Sequence, residues 1–232
     1  MNYQTIREEC CEANIALPKT GLVDLTFGNF SVLDAEQGVF AIKPSGVHYE
    51  ALQPADMVIL DLEGKIVEGT LKPSSDTPTH RRLFRAFADA GVRSIVHTHS
   101  RCAVAFAQAG REIPCLGTTH ADHFFGSVPV TRAMTPEEIQ GDYEWETGNV
   151  IVESFKDINP MTIPAVLVRG HGPFAWNVSG PKAVEYACAL EIAADMALKT
   201  LSINPEPEPL DPNLLRKHFL RKHGKDAYYG QS

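Results

Sequence analysis

Between residues 22 and 67 the chain is cut into four short β-branched or aromatic runs, Leu22–Phe27, Val39–Ile42, Met57–Asp61 and Lys65–Val67, separated by Gly, Pro, Asp and Glu turns such as Glu63-Gly64. Runs this short read as strands, and strands need covering layers. Helical patterns supply them. Residues 3–18 place Ile6, Cys10, Ala13, Ile15 and Leu17 at roughly helical spacing, with Pro18 and Gly21 closing the helix. Ser74–Pro78 offers N-cap residues, and Leu83, Phe84 and Phe87 give an apolar face to a helix ending near Ala90. Ser94–Val96 is a short strand, Cys102–Gly110 a small-residue helix, and residues 135–147 a capped acidic helix or turn. Ile163–Val168 reads as a strand and Pro181–Leu201 as a long alanine-rich helix. Asn204–Pro212 is a stiff Pro-acidic spacer before a basic helix ending at Gly224 and a tail, AYYGQS. The pattern predicts a mixed, helix-covered sheet.

The 232 residues, 44% of them hydrophobic, make one domain the default. Lys and Arg number 21 against 29 Asp and Glu, a net charge of −8, which excludes binding to nucleic acid or an anionic bilayer through bulk charge. Five scattered cysteines, with no Cys-x-x-Cys pair, support neither a disulfide framework nor a cysteine zinc knuckle and fit a reducing cytoplasm. The acidic start and the lack of an 18-residue apolar run predict a soluble, untargeted protein.

His97-Thr98-His99 follows the apolar strand Ser94–Val96, and side chains two apart on a strand share a face, so the two imidazoles converge. His171, between two glycines after the Ile163–Val168 strand, can join them, and Asp76 at a helix start is an oxygen donor. Three imidazoles and a carboxylate suit Zn2+, with Mn2+, Co2+ or Ni2+ acceptable. His80, His120, His123, His218 and His223 compete as ligands. Three polar turns, Gly28-Asn29, Lys43-Pro44-Ser45-Gly46 and Lys72-Pro73-Ser74-Ser75, combine small polar side chains with free backbone N–H groups; the last precedes a helix N-terminus and Lys43 adds a point charge. Each alone is an ordinary turn; beside a metal candidate they point to a phosphorylated substrate. Asp122, in His120-Ala121-Asp122-His123, is a general acid/base or a surface turn residue. Tyr228-Tyr229 is an unusual aromatic pair for a tail, and the basic helix at residues 216–223 reads as a solvated face or a local anion contact.

The segments KPSGVHY, KPSSDTPTH, IVHTHS, GTTHAD, YEWETGNVI, HGPFAW, KHFLRKHG and AYYGQ together, in this order, give a chain that resembles the class II aldolase/adducin family over its whole length, and within it the enzymes that epimerise a phosphorylated ketopentose. The resemblance implies a three-layer α/β/α single domain over residues 1–232, with a mixed, mostly antiparallel sheet. It implies metal-dependent interconversion of L-ribulose 5-phosphate and D-xylulose 5-phosphate by cleavage and re-formation of the C3–C4 bond. Metal ligands then fall on Asp76, His97, His99 and His171. Substrate and phosphate contacts fall on Gly28, Asn29, Lys43, Ser45, Gly46, Ser74 and Ser75. Acid/base roles fall on Asp122 and Tyr229, with His218 in support. The implied assembly is a homotetramer in which the tail tyrosine reaches a neighbour's site. Two rivals share the fold: a fuculose-phosphate type of aldolase, which carries Glu where this chain has Asp76, and a non-catalytic adducin-like module without the ligand set.

Overall fold

The computed structural model describes residues 3–225, 227 and 228. The elements, in chain order, are α1 (Gln4–Ala16), β1 (Asn29–Asp34), β2 (Val39–Ile42), β3 (Val58–Asp61), β4 (Ile66–Glu68), α2 (Thr77–Phe87), β5 (Ser94–His97), α3 (Arg101–Ala109) and α4 (Thr118–Ala121). There follow α5 (Pro136–Gln140), α6 (Tyr143–Ser154), β6 (Ala165–Leu167), β7 (Pro173–Asn177), α7 (Gly180–Ile203) and α8 (Pro212–His223). The seven strands form one sheet in the order β4-β3-β2-β1-β5-β7-β6, and every ladder is antiparallel. A lone parallel bridge, Val130 with Leu167, lies outside the named strands.

Successive side chains of a strand point to opposite faces, and here both faces are apolar and covered. Phe30 and Val32 of β1, Val39 and Ala41 of β2, and Ile59 of β3, with Met57 just before that strand, pack on the side of α1, α3 and α7. Leu33, Phe40, Ile42, Val58 and Leu60 pack on the other, with Leu83, Phe84 and Phe87 of α2 and Ile151 of α6. On that second side the Trp176 ring lies 5.2 Å from Phe87 and 5.1 Å from Phe155, and its Nε1–H donates to the Pro160 carbonyl at 2.9 Å. These are the three layers expected of the family.

The run Leu22–Phe27 is not a strand, contrary to the sequence reading. Phe27 N–H donates to the Asp24 carbonyl in a turn, and Leu25 sits 77% exposed at φ 56. The strand begins after Gly28, at Asn29, where α1 seizes it: the buried Asn14 amide donates to the Phe30 carbonyl at 3.2 Å and accepts the Phe30 N–H at 3.0 Å. β7 is a second unforeseen strand. The acidic segment expected over 135–147 is two helices, with Thr135 and Glu138 forming a reciprocal cap on α5 and a break at Gly141 before α6.

Candidate active site

The register of β1 on β5 sets Asn29 opposite His97, and that of β5 on β7 sets His97 opposite Phe174. The ends of three strands thus meet where β5 stops. His97 is buried, stacked on Phe174 at 4.3 Å between ring centroids. Its Nδ1–H donates to the Pro173 carbonyl at 2.9 Å, which fixes the tautomer and leaves the Nε2 lone pair 3.1 Å from His99 Nε2. His171 enters from the turn between β6 and β7, which is closed by Val168 N–H to the Gly172 carbonyl and His171 N–H to the Val168 carbonyl. One nitrogen from each of His97, His99 and His171 lies within 4.8 Å of the others.

This cluster fits a divalent metal. Tetrahedral ligands at zinc–nitrogen distances of about 2.0–2.1 Å stand roughly 3.3 Å apart, close to the spacing of His97 and His99. Burial pushes the His97 imidazole down to about 3 and also lowers His171, so both are neutral, as ligands must be. Asp76 lines the same cavity, but the compact cluster consists of the three imidazoles. Its carboxylate does not cap α2; it accepts from Asn29 Nδ2 at 2.5 Å. Burial alone would raise this carboxyl, yet the imidazoles of His97 and His80 and the Asn29 amide outweigh it and hold it low. Of the competing histidines, His80 is buried under the site with Nδ1 2.6 Å from Ser31 Oγ. The other four lie around α4 and α8: His120 and His123 on or beside α4, His218 and His223 on α8.

A cavity of about 370 Å³ opens over the imidazoles and is lined by Gly28, Asn29, Lys43, Ser45, Gly46, Ser74, Ser75 and Asp76 as well as the three histidines. Gly28 is required by its backbone: at φ +84, a Cβ would lie 2.6 Å from the His97 carbonyl oxygen. The turns differ from the sequence reading in one respect. Ser45 N–H donates to the Lys72 carbonyl at 2.9 Å and Ser74 N–H to the Lys43 carbonyl at 3.0 Å, so these two amides lace the turns together and are not free for an anion. Side chains remain to face the cavity. Lys43 is 2% exposed, donates only a 3.3 Å bond to the Pro44 carbonyl, and lies 5.0 Å over the Tyr49 ring. Burial lowers its ammonium, and among the described residues no carboxylate pairs with it.

Asp122 is not part of this lining. At the end of α4 it faces α8, where Oδ1 accepts from His218 Nδ1 at 3.0 Å and Oδ2 from Arg221 Nη2 at 2.8 Å. The basic helix therefore meets an anion of its own chain. Tyr229 lies outside the described residues. Two contributors escaped the sequence reading. Tyr143 Oη is 3.4 Å from His171 Nδ1 and can orient that ring, and the Tyr49 hydroxyl is shared by the carbonyls of Phe27 and Gly28 at 2.8 and 2.9 Å. Both sit in segments noted for other reasons, YEWETGNVI and KPSGVHY, and neither carries a local signal of its contact.

The profile of the class II aldolase and adducin N-terminal domain matches residues 8–198. A curated relative, L-ribulose-5-phosphate 4-epimerase UlaF of Salmonella paratyphi B, is 50% identical over 228 residues, covering 98% of this chain and 99% of the relative. Among solved structures, an L-fuculose 1-phosphate aldolase superposes with a TM-score of 0.78 at 23% identity, covering 94% of this chain and 96% of the other. An L-fuculose-1-phosphate aldolase from Thermus thermophilus gives 0.69 at 28% identity, covering 88% and 98%.

Proposed function

The chain belongs to the class II aldolase and adducin family, and from that premise we propose that it interconverts L-ribulose 5-phosphate and D-xylulose 5-phosphate by breaking and re-forming the C3–C4 bond. The observation that carries the reading is one cavity lined by three clustered imidazoles and by a buried lysine that pairs with no carboxylate among the described residues. Half-identity over the full length to an epimerase favours this over the aldolase reading, whose solved examples are 23% and 28% identical.

His97, His99 and His171, with Asp76 as oxygen donor, would hold the cation, zinc or alternatively manganese, cobalt or nickel. When bound, such an ion would act as a Lewis acid, stabilising the negative charge that develops as the carbon–carbon bond breaks. Lys43, Asn29 and the Ser45, Ser74 and Ser75 hydroxyls, with Gly28 and Gly46 giving room in the turns, hold the phosphate. They keep glycolaldehyde phosphate bound while its aldehyde rotates to present the opposite face. Asp122 and Tyr229 move the protons at the C4 oxygen, with His218 fixing Asp122. Because Asp122 and α8 stand apart from their own chain's cavity, they serve a neighbouring protomer's cavity in a homotetramer whose sites lie at subunit interfaces. The chain acts as one domain in the cytoplasm; among the described residues no helix is long and apolar enough to cross a membrane.

Incubation with L-ribulose 5-phosphate should give D-xylulose 5-phosphate, stop on chelation and resume with zinc or manganese. Accumulation of free dihydroxyacetone and glycolaldehyde phosphate without xylulose product would assign an aldolase instead. For the shared site, mixing inactive His97→Asn and Asp122→Asn protomers should restore part of the activity, because one intact cavity then meets one intact Asp122. No recovery in verified mixed oligomers refutes the shared site.

A further inference from the structure

Asp122 and the tail that bears Tyr229 are distant in sequence, yet one residue touches both. Arg221 Nη2 donates to Asp122 Oδ2 at 2.8 Å and to Oδ1 at 3.0 Å, and Nε donates to Oδ1 at 3.1 Å. The Arg221 carbonyl accepts the N–H of Tyr228, the residue just before Tyr229, at 3.0 Å. We propose that Arg221 is a positioning residue for the proton-transfer step: its guanidinium clamps Asp122 as an oriented carboxylate, while its carbonyl holds the N–H of Tyr228 against the end of α8.

The chemistry favours this role over a generic surface pair. A guanidinium is always protonated and its fork matches a carboxylate, giving two near-parallel bonds that fix orientation as well as distance. The pair is largely enclosed, with side-chain exposures of 21% and 13%. The charged and titratable groups facing Asp122 are His218, Arg221, Lys222 and His223 on α8, and His120 and His123 on and beside α4, with Glu185 of α7 next to His123. Burial would raise the Asp122 carboxyl, but its bonds from Arg221 and His218 outweigh that and hold it below the usual carboxylate range. Arg221 supplies three of those four side-chain bonds, so losing it must raise the carboxyl's proton affinity.

The inference rests on the epimerase reading, and the two fail differently. A wild-type protein that makes no xylulose 5-phosphate sinks that reading before any variant is studied. With wild type active, Arg221→Met and Arg221→Lys are compared in the metal-loaded full chain, with melting temperature and metal content recorded. Arg221→Met should lose at least tenfold in kcat with KM within about threefold. The acid limb of its pH–rate profile should move to higher pH, and added guanidinium ion should restore much of the loss. Arg221→Lys keeps the cation but not the fork and should lie between; it also carries the test should the methionine variant not fold. The proposal is overturned by wild-type kinetics in the lysine variant, by a KM effect with kcat intact, or by lost kcat with an unmoved acid limb and no guanidinium response.

Discussion

Replacing Lys43 by methionine should leave the fold at least as stable while crippling phosphate binding. In the free protein the ammonium gains little: one 3.3 Å bond to the Pro44 carbonyl and a contact 5.0 Å over the Tyr49 ring. A long neutral-acceptor bond contributes about 0.5 kcal/mol and a partly desolvated cation–π contact roughly 1 kcal/mol. Against these stands the desolvation of an unpaired cation, several kcal/mol for a fully enclosed ion. Taking about 2.5 kcal/mol for a group at the wall of an open cavity, the net gain of Lys43→Met is about 1 kcal/mol. At this chain length that corresponds to a melting temperature higher by about 2–4 °C. With substrate the balance inverts, since a charge-assisted bond to phosphate is worth about 1.5–3 kcal/mol, or roughly 10- to 150-fold in affinity. Differential scanning calorimetry in phosphate-free buffer reads the first quantity and steady-state kinetics the second. A melting temperature lower by more than about 4 °C with KM unchanged would refute the reasoning, because Lys43 would then be a structural cation.

Gly28→Ala should be among the most damaging single-methyl changes, since its Cβ meets the His97 carbonyl oxygen at 2.6 Å on backbone with φ +84; we expect a loss of about 2–4 kcal/mol in urea unfolding together with reduced metal content. Tyr143→Phe removes the hydroxyl near His171 Nδ1 and should weaken zinc about tenfold in a competition titration against a chelator dye, with the fold intact; unchanged affinity would mean the tyrosine does not orient the ring. His120 is buried, donates from Nε2 to the Gly126 carbonyl at 2.8 Å, and is pushed down to about 4 by burial. Its folded-state value lies below the unfolded one near 6.5, so its stabilising contribution is complete above 6.5 and lost as the pH falls toward 4. Between about pH 6.5 and 5 wild type should lose about 2 kcal/mol more than His120→Gln in denaturant unfolding; parallel curves would show that His120 protonates without penalty.

The imidazole cluster was legible because its signals are local: a two-residue period at a strand end and a histidine between turn glycines. The polar turns were legible as turns, but their use of backbone amides was not. That depends on the Lys43 and Lys72 turns lying side by side, a pairing of segments remote in sequence. Asp76 shows the same division. Its place before α2 follows from Ser74–Pro78, whereas the choice of Asn29 over the helix amides as its partner needs β1 and α2 in contact. The strand misplacement has a related cause. Leu22–Phe27 is the more apolar stretch, but Asn29–Asp34, with polar Asn29 and Ser31, becomes the strand because Asn14 offers Phe30 both of its backbone bonds inside the core. Arg221 was unreadable for the plainest reason: its partner lies 99 residues away.

The lacing of the two turns changes how an acidic chain holds a small dianion. With the Ser45 and Ser74 amides committed to carbonyls, side chains take a larger share in meeting an anion, and the strongest of these is Lys43, which pairs with no carboxylate among the described residues. Such a wall is selective by default. An apolar ligand gains little from Lys43, a large polyanion is repelled by the net charge of −8, and a small anion such as a phosphate that fits about 370 Å³ would relieve the buried ammonium. The carboxylate of this cavity, Asp76, is held by the Asn29 amide, whereas Asp122 stands beside α8. In the shared site proposed above, binding and proton transfer would be divided between the strand ends of one protomer and the α4–α8 corner of a second. The shared site predicts that activity, unlike phosphate affinity, depends on protein concentration: dilution should abolish turnover before it abolishes binding.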